Sequence, residues 1–104
     1  MQKIDTHQHL LYPDHLSYPW VDTIPPLQGA FHLEDYKEVS EGCGIAGTVF
    51  MEVDVPPVQM AREVKWVEEL ASGEGSGIVG IVAAARPEAD DFETHLDAVS
   101  GPLL

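Results

Sequence analysis

The chain alternates between short runs of almost continuous apolar residues and longer stretches with apolar side chains at helical spacing. Strands that are apolar on both faces are typical of a parallel sheet, and a period near 3.6 residues predicts amphipathic helices. Three runs are candidate strands, at about residues 2–6, 45–53 and 78–85. Three stretches are candidate helices, at about residues 33–42, 57–71 and 90–99.

Residues 10–32 interrupt this pattern with prolines and aromatic residues and are interpreted as a long loop. The order strand, loop, helix, strand, helix, strand, helix predicts an α/β fold with a parallel sheet. Three such strands would leave two apolar edges open, and a closed barrel of eight strands needs about 250 residues. We therefore interpret the chain as the first three βα units of a (β/α)8 TIM barrel and expect it to be incomplete; a small open α/β domain is the alternative.

The length and the net charge of the chain exclude several classes of partner and location. The 104 residues allow one domain, and their formal net charge of −13 argues against nucleic-acid and anionic-membrane partners. No apolar run approaches the roughly 20 residues that span a bilayer, and no secretory signal pattern opens the chain. A single cysteine, Cys43, excludes an intrachain disulfide and fits a reducing compartment, so a cytoplasmic location is expected.

His7 and His9 stand two residues apart at the end of the first candidate strand. Side chains at i and i+2 of a strand point to the same face, so both imidazoles project into one space. There they could share a metal ion or polarise one substrate oxygen. Two partly exposed loop histidines are the alternative. The position favours function, because functional residues of parallel α/β folds gather at strand carboxyl ends.

Three further residues are candidates for the same edge of the sheet. Glu52 lies near the end of the second strand as a candidate catalytic base, metal ligand or substrate contact, or else as an acid hydrogen-bonded at the rim. Arg86 follows the third strand and could pair with a substrate carboxylate, or be a solvated cation. Trp20 could form an apolar wall that contacts substrate, or simply cover the sheet with its loop.

The segments Asp5-Thr6-His7-Gln8-His9-Leu10, Tyr12-Pro13-Asp14 and Tyr18-Pro19-Trp20 resemble the opening of the amidohydrolase superfamily, closest to its lactonase-like branch. The stretch at 44–50 resembles that branch's second strand, and the one at 80–82 its third. The resemblance implies a (β/α)8 hydrolase in which His7 and His9 bind a divalent metal, usually zinc, or act without metal as electrophiles on a lactone carbonyl. It implies a small-molecule substrate and further ligands on later strands.

The leading expectation is therefore the N-terminal part of a hydrolase that cleaves a lactone by water attack. The alternative is a non-catalytic fragment, or a subunit that completes its sheet with another chain, for which a homo-oligomer is one form. We also expect the isolated chain to expose the inward faces of its strands, at Val49, Met51, Ile81 and Ala83 or their neighbours, and therefore not to be a stable monomer.

Overall fold

The computed structural model describes residues 2–104, in which strands and helices alternate. The strands are β1 (Lys3–Gln8), β2 (Ile45–Met51) and β3 (Ile78–Val82). The helices are α1 (Leu33–Val39), α2 (Met60–Ser72) and α3 (Phe92–Val99). Short 3-10 helices lie at Pro19–Thr23, Pro25–Leu27 and Pro57–Gln59. None of these helices is long and apolar enough to cross a lipid bilayer.

The three strands form one parallel sheet in the order β1-β2-β3, as predicted. Gln8 pairs with Phe50, and Met51 pairs with Val82, so the carboxyl ends of the strands meet at one edge. Residues that directly follow the strands are therefore brought together there. The α/β class and the parallel sheet are confirmed. Residues 2–104 form three strands of such a sheet and not a closed barrel.

Several element boundaries differ from the prediction. β3 ends at Val82 and not at residue 85, and α1 ends at Val39 and not at residue 42. The turn after α1 requires positive φ angles at Gly42 and Gly44, of 81° and 77°, so the chain leaves the helix before the glycines. α2 begins at Met60 because the preceding Pro57–Gln59 segment forms a tighter 3-10 turn.

One face of the sheet forms the core with the helices. Phe50 of β2 is 2% exposed and Ile81 of β3 is 5% exposed. Val64 and Val67 of α2 belong to the same cluster, which the apolar stripe of that helix predicts. Burial of a side chain such as Phe50 contributes about 1.5–3 kcal/mol of transfer free energy.

The opposite face of the sheet carries apolar side chains that remain open. Ile4, Val79 and Val82 are 53%, 57% and 44% exposed. The prediction that β3 is buried on both faces is therefore wrong. Of the positions expected to be open, Ile81 is buried, whereas its neighbour Val82 is exposed. The reason is a register shift against β2 between Thr48 and Val49, which breaks the strict alternation so that Ile78 and Ile81 are both buried.

The loop between β1 and α1 packs closely against the fold. Leu11 and Phe31 form an antiparallel bridge across its base. Inside it, the Tyr18 hydroxyl accepts the Tyr12 N–H at 3.0 Å, and the Tyr12 hydroxyl accepts the Leu33 N–H at 2.9 Å. Burial raises the pKa of both tyrosines above the ordinary value. These contacts fix the path of the loop from the end of β1 to the start of α1.

Candidate active site

His7 and His9 meet at the carboxyl end of β1. Their Nε2 atoms are 3.1 Å apart, and their rings lie edge to face with centroids 4.8 Å apart. Both side chains are exposed at this edge of the sheet. The i, i+2 spacing thus brings two imidazole nitrogens to one point.

The contacts of His9 determine which nitrogen carries hydrogen. His9 Nδ1 lies 3.0 Å from the carbonyl oxygen of Met51, at the end of β2. A carbonyl only accepts, so Nδ1 must donate. In a neutral His9 the Nε2 atom is then an acceptor, and His7 Nε2 donates the hydrogen between the two rings.

Asp5 holds the backbone of His7 in place. One carboxylate oxygen of Asp5 accepts the His7 N–H at 3.0 Å, and the other accepts the Tyr36 hydroxyl of α1 at 2.7 Å. The Tyr36 hydrogen bond, followed by that of the His7 N–H, lowers the pKa of Asp5. Burial and the Asp5 carboxylate raise the pKa of Tyr36 to about 12. The role of Tyr36 has no signal in the sequence, whereas Asp5 shares the i, i+2 spacing with His7 and could have been assigned to the site from that spacing.

A cavity of about 350 Å³ lies beside His9. Its lining consists of His9, Leu11, Trp20, Leu27, Glu52, Val53 and Asp54. Trp20 is anchored by a 2.9 Å hydrogen bond from its indole N–H to the Val53 carbonyl. Glu52 accepts the Asp54 N–H at 2.8 Å, across a turn in which Asp54 has a φ of 50°. His9, Trp20 and Glu52 are thus brought together from three different segments.

Arg86 lies outside this lining. Its guanidinium is 3.9 Å from the Asp54 carboxylate, and it borders a neighbouring cavity of about 340 Å³ that also includes Trp20 and Asp54. Arg86 and Asp54 are both well exposed, with 47% and 75% of their side-chain surface open to solvent. Such a contact contributes little to stability.

Glu63 is an acidic residue of α2 that lies on the buried side of the helix. The side chain is only 1% exposed, and its carboxylate accepts the Val53 N–H at 3.2 Å. Burial is the main cause that raises its pKa to about 7; the Val53 hydrogen bond opposes this, and the carboxylates of Glu52 and Asp54 add to it. Glu63 therefore supports the segment 52–54, which carries three of the cavity residues. Its spacing from Met60 and Val67 is the signal that could have revealed this burial.

Two imidazole nitrogens converging within 3.1 Å fit two ligands of one divalent ion, for which each metal–nitrogen distance is about 2.0–2.1 Å. Within residues 2–104 no group of three or more His, Cys, Asp or Glu side chains is placed to hold a metal. The described residues therefore fit part of a metal site.

No family model and no curated protein matches the sequence. Among solved structures, an amidohydrolase 2 from Bifidobacterium longum subsp. infantis is similar to this chain, with a TM-score of 0.65 and 26% sequence identity. The match covers 80% of this chain and 32% of that protein, so the chain spans about a third of the amidohydrolase that it matches. The fold of three parallel βα units is thus similar to part of an amidohydrolase.

Proposed function

We propose that this chain belongs to a hydrolase of the amidohydrolase superfamily, which cleaves a lactone or a related carboxylic ester by attack of water. The observation that carries the proposal is the convergence of His7 Nε2 and His9 Nε2 at the carboxyl edge of a parallel sheet. Active sites of βα folds form at this edge. The similarity to a solved amidohydrolase supports the same reaction class.

A divalent ion, with zinc as the first candidate, would be held in part by His7 and His9. Such an ion supplies a Lewis acid for the carbonyl oxygen and lowers the pKa of a bound water. Without it, His7 and His9 provide an N–H donor for the oxyanion, since the hydrogen between their Nε2 atoms can turn to a substrate oxygen. Asp5 orients His7 in either case, through the His7 backbone.

The cavity residues have complementary roles in this proposal. Glu52 is the candidate general base, because it lines the same cavity as His9. Trp20 forms the wall against which the body of the substrate rests. Arg86 contacts Asp54 and borders the neighbouring cavity, where it could reach a substrate group that extends past Trp20.

The test is to replace each histidine in the protein expressed from its complete reading frame. We expect His7→Ala and His9→Ala each to lower kcat/KM on aryl and sugar lactones by about 10²–10³, the loss typical of removing an oxyanion donor. His95→Ala is the matched control, because His95 lies on α3 and lines neither cavity beside Trp20. Circular dichroism should show that all three variants remain folded. Activity within about threefold of the unsubstituted protein in both single variants, against that expected loss, would overturn the assignment.

A further inference from the structure

Both side-chain N–H donors in the lining of the cavity beside His9 are already used inside the protein. His9 Nδ1 donates to the Met51 carbonyl, and its Nε2 atom faces His7 Nε2. The Trp20 indole N–H donates to the Val53 carbonyl. A ligand therefore meets the hydrocarbon and π surface of Trp20 and not a free donor.

The backbone of the lining is similarly occupied. Five of its seven residues donate their N–H to another group of the protein: Leu11 to Phe31, Leu27 to Ile24, Glu52 to Val82, Val53 to Glu63 and Asp54 to Glu52. An anionic ligand group needs several N–H donors or a cation to replace its water. These five backbone positions do not offer them.

Acceptors, in contrast, remain available in the cavity. One oxygen of the Glu52 carboxylate accepts the Asp54 N–H, which leaves the other free. Among residues 2–104 the Asp54 carboxylate has one oppositely charged partner, Arg86, at 3.9 Å, and 75% of the Asp54 side chain is exposed. Two acidic residues therefore line one cavity, and Arg86 stands outside its lining.

The rest of the wall is apolar. Leu11, Trp20, Leu27 and Val53 surround a volume of about 350 Å³, which is the size of a small ligand site. A single ring with a short substituent would fill this volume, and its binding would remove little water from polar groups of the protein.

We propose that this cavity binds an uncharged or cationic ring compound that presents a hydroxyl or amino donor to Asp54, and that it rejects carboxylates and phosphates. That such a ring is the non-reacting end of the hydrolase's substrate rests on the function proposed above. The substrate class is then an aryl or alicyclic lactone or ester with a hydroxyl or amino substituent, and without an acidic one.

Binding of three probes that share a phenyl ring tests the proposal without turnover. The probes are 2-phenylethanol, phenethylamine and 3-phenylpropanoate, which differ in charge and in donor capacity. Binding is followed by Trp20 fluorescence in a Trp66→Phe background and by calorimetry. We expect the alcohol and the amine to bind about tenfold or more tightly than 3-phenylpropanoate. The reason is that a nearby unpaired carboxylate of the protein repels an anionic probe at intermediate dielectric.

Two charge variants locate the effect. Asp54→Asn should weaken the amine several-fold relative to the alcohol, whereas Glu74→Gln, in the turn before β3, changes the net charge equally and should leave the order unchanged. Carboxylate binding as tight as that of the alcohol would overturn the proposal, since it would mean that Arg86 turns into the cavity. Failure of both the alcohol and the amine to bind would overturn it as well. Retention of the binding order without any lactone hydrolysis would refute the proposed function alone.

Discussion

Glu63 is a carboxyl group at a position where α2 otherwise buries apolar side chains. Its hydrogen bond to the Val53 N–H connects the helix to the segment that holds Glu52 and accepts the Trp20 indole. Tyr18, Glu52 and Asp54 are the ionisable groups that interact with it. The protonation state of Glu63 therefore bears on the wall of the cavity as well as on stability.

The raised pKa of Glu63 makes its contribution to folding depend on pH. Because the folded-state pKa of about 7 exceeds the ordinary value of 4.5, the folded protein binds more protons between these values, so stability is lost as pH rises through about 7. When the pH is raised from about 5 to about 8, the free energy of unfolding should fall less in the Glu63→Gln variant than in the unsubstituted protein. The difference between the two decreases should be up to about 3 kcal/mol.

Urea unfolding at a series of pH values measures this difference. Glu69→Gln on the exposed side of α2 is the control and should follow the unsubstituted protein. Parallel pH profiles for the Glu63→Gln variant and the unsubstituted protein would contradict the prediction.

At the scale of elements, the site depends on hydrogen bonds, here called ties, between segments that are far apart in sequence. His9, directly after β1, is hydrogen-bonded to the Met51 carbonyl of β2, and Asp5 of β1 is hydrogen-bonded to Tyr36 of α1. The loop after β1 is tied to the end of β2 by Trp20 and Val53. Each tie fixes a side chain or backbone group that borders the histidine pair or its cavity.

The Asp5–Tyr36 tie gives a prediction about positioning. Tyr36→Phe removes the larger cause of the lowered pKa of Asp5, so that pKa should rise toward its ordinary value. A lost hydrogen bond to a charged group costs about 1.5–3 kcal/mol, and this part-buried example should lie at the lower end. We expect kcat to fall more than KM changes, because His7 loses orientation while the cavity is intact.

NMR titration of the Asp5 carboxyl and steady-state kinetics test this prediction together. Asp5→Asn keeps the size of the side chain and should show the same kinetic effect. An unchanged kcat in the Tyr36→Phe variant, with the Asp5 pKa raised, would show that the tie serves stability only.

On the scale of the whole molecule, an open apolar sheet face coexists with a strongly acidic composition. Ile4, Val79 and Val82 are exposed on the sheet, while the formal net charge of −13 opposes close approach of two copies. Exposed apolar strands favour association, and salt screens the opposing charge.

We therefore expect the isolated 104-residue chain to self-associate, and to do so more strongly at high salt. Analytical ultracentrifugation should show that Val79→Thr with Val82→Thr raises the monomer fraction. Val39→Thr with Val58→Thr is the control pair, because these valines are 79% and 92% exposed but lie outside the sheet. A salt-independent 11.4 kDa monomer that melts cooperatively would contradict the prediction.

The sequence by itself determined what depends on local spacing. The apolar runs placed β1, β2 and β3 within a few residues, and their alternation with amphipathic stretches was sufficient for a parallel α/β fold. The two-residue spacing of His7 and His9 was sufficient to predict that their rings share one face, because the period of a strand is a property of the backbone.

Only the tertiary structure decided what depends on contacts between distant segments. The register shift between β2 and β3 determined which face Ile81 occupies, and packing between α2 and the end of β2 buried Glu63. Asp5, Trp20 and Arg86 each have a partner that is 31 or more residues away in the chain, namely Tyr36, Val53 and Asp54. A local pattern carries no information about which of many distant groups will meet, because that choice follows from how the whole chain buries its apolar surface.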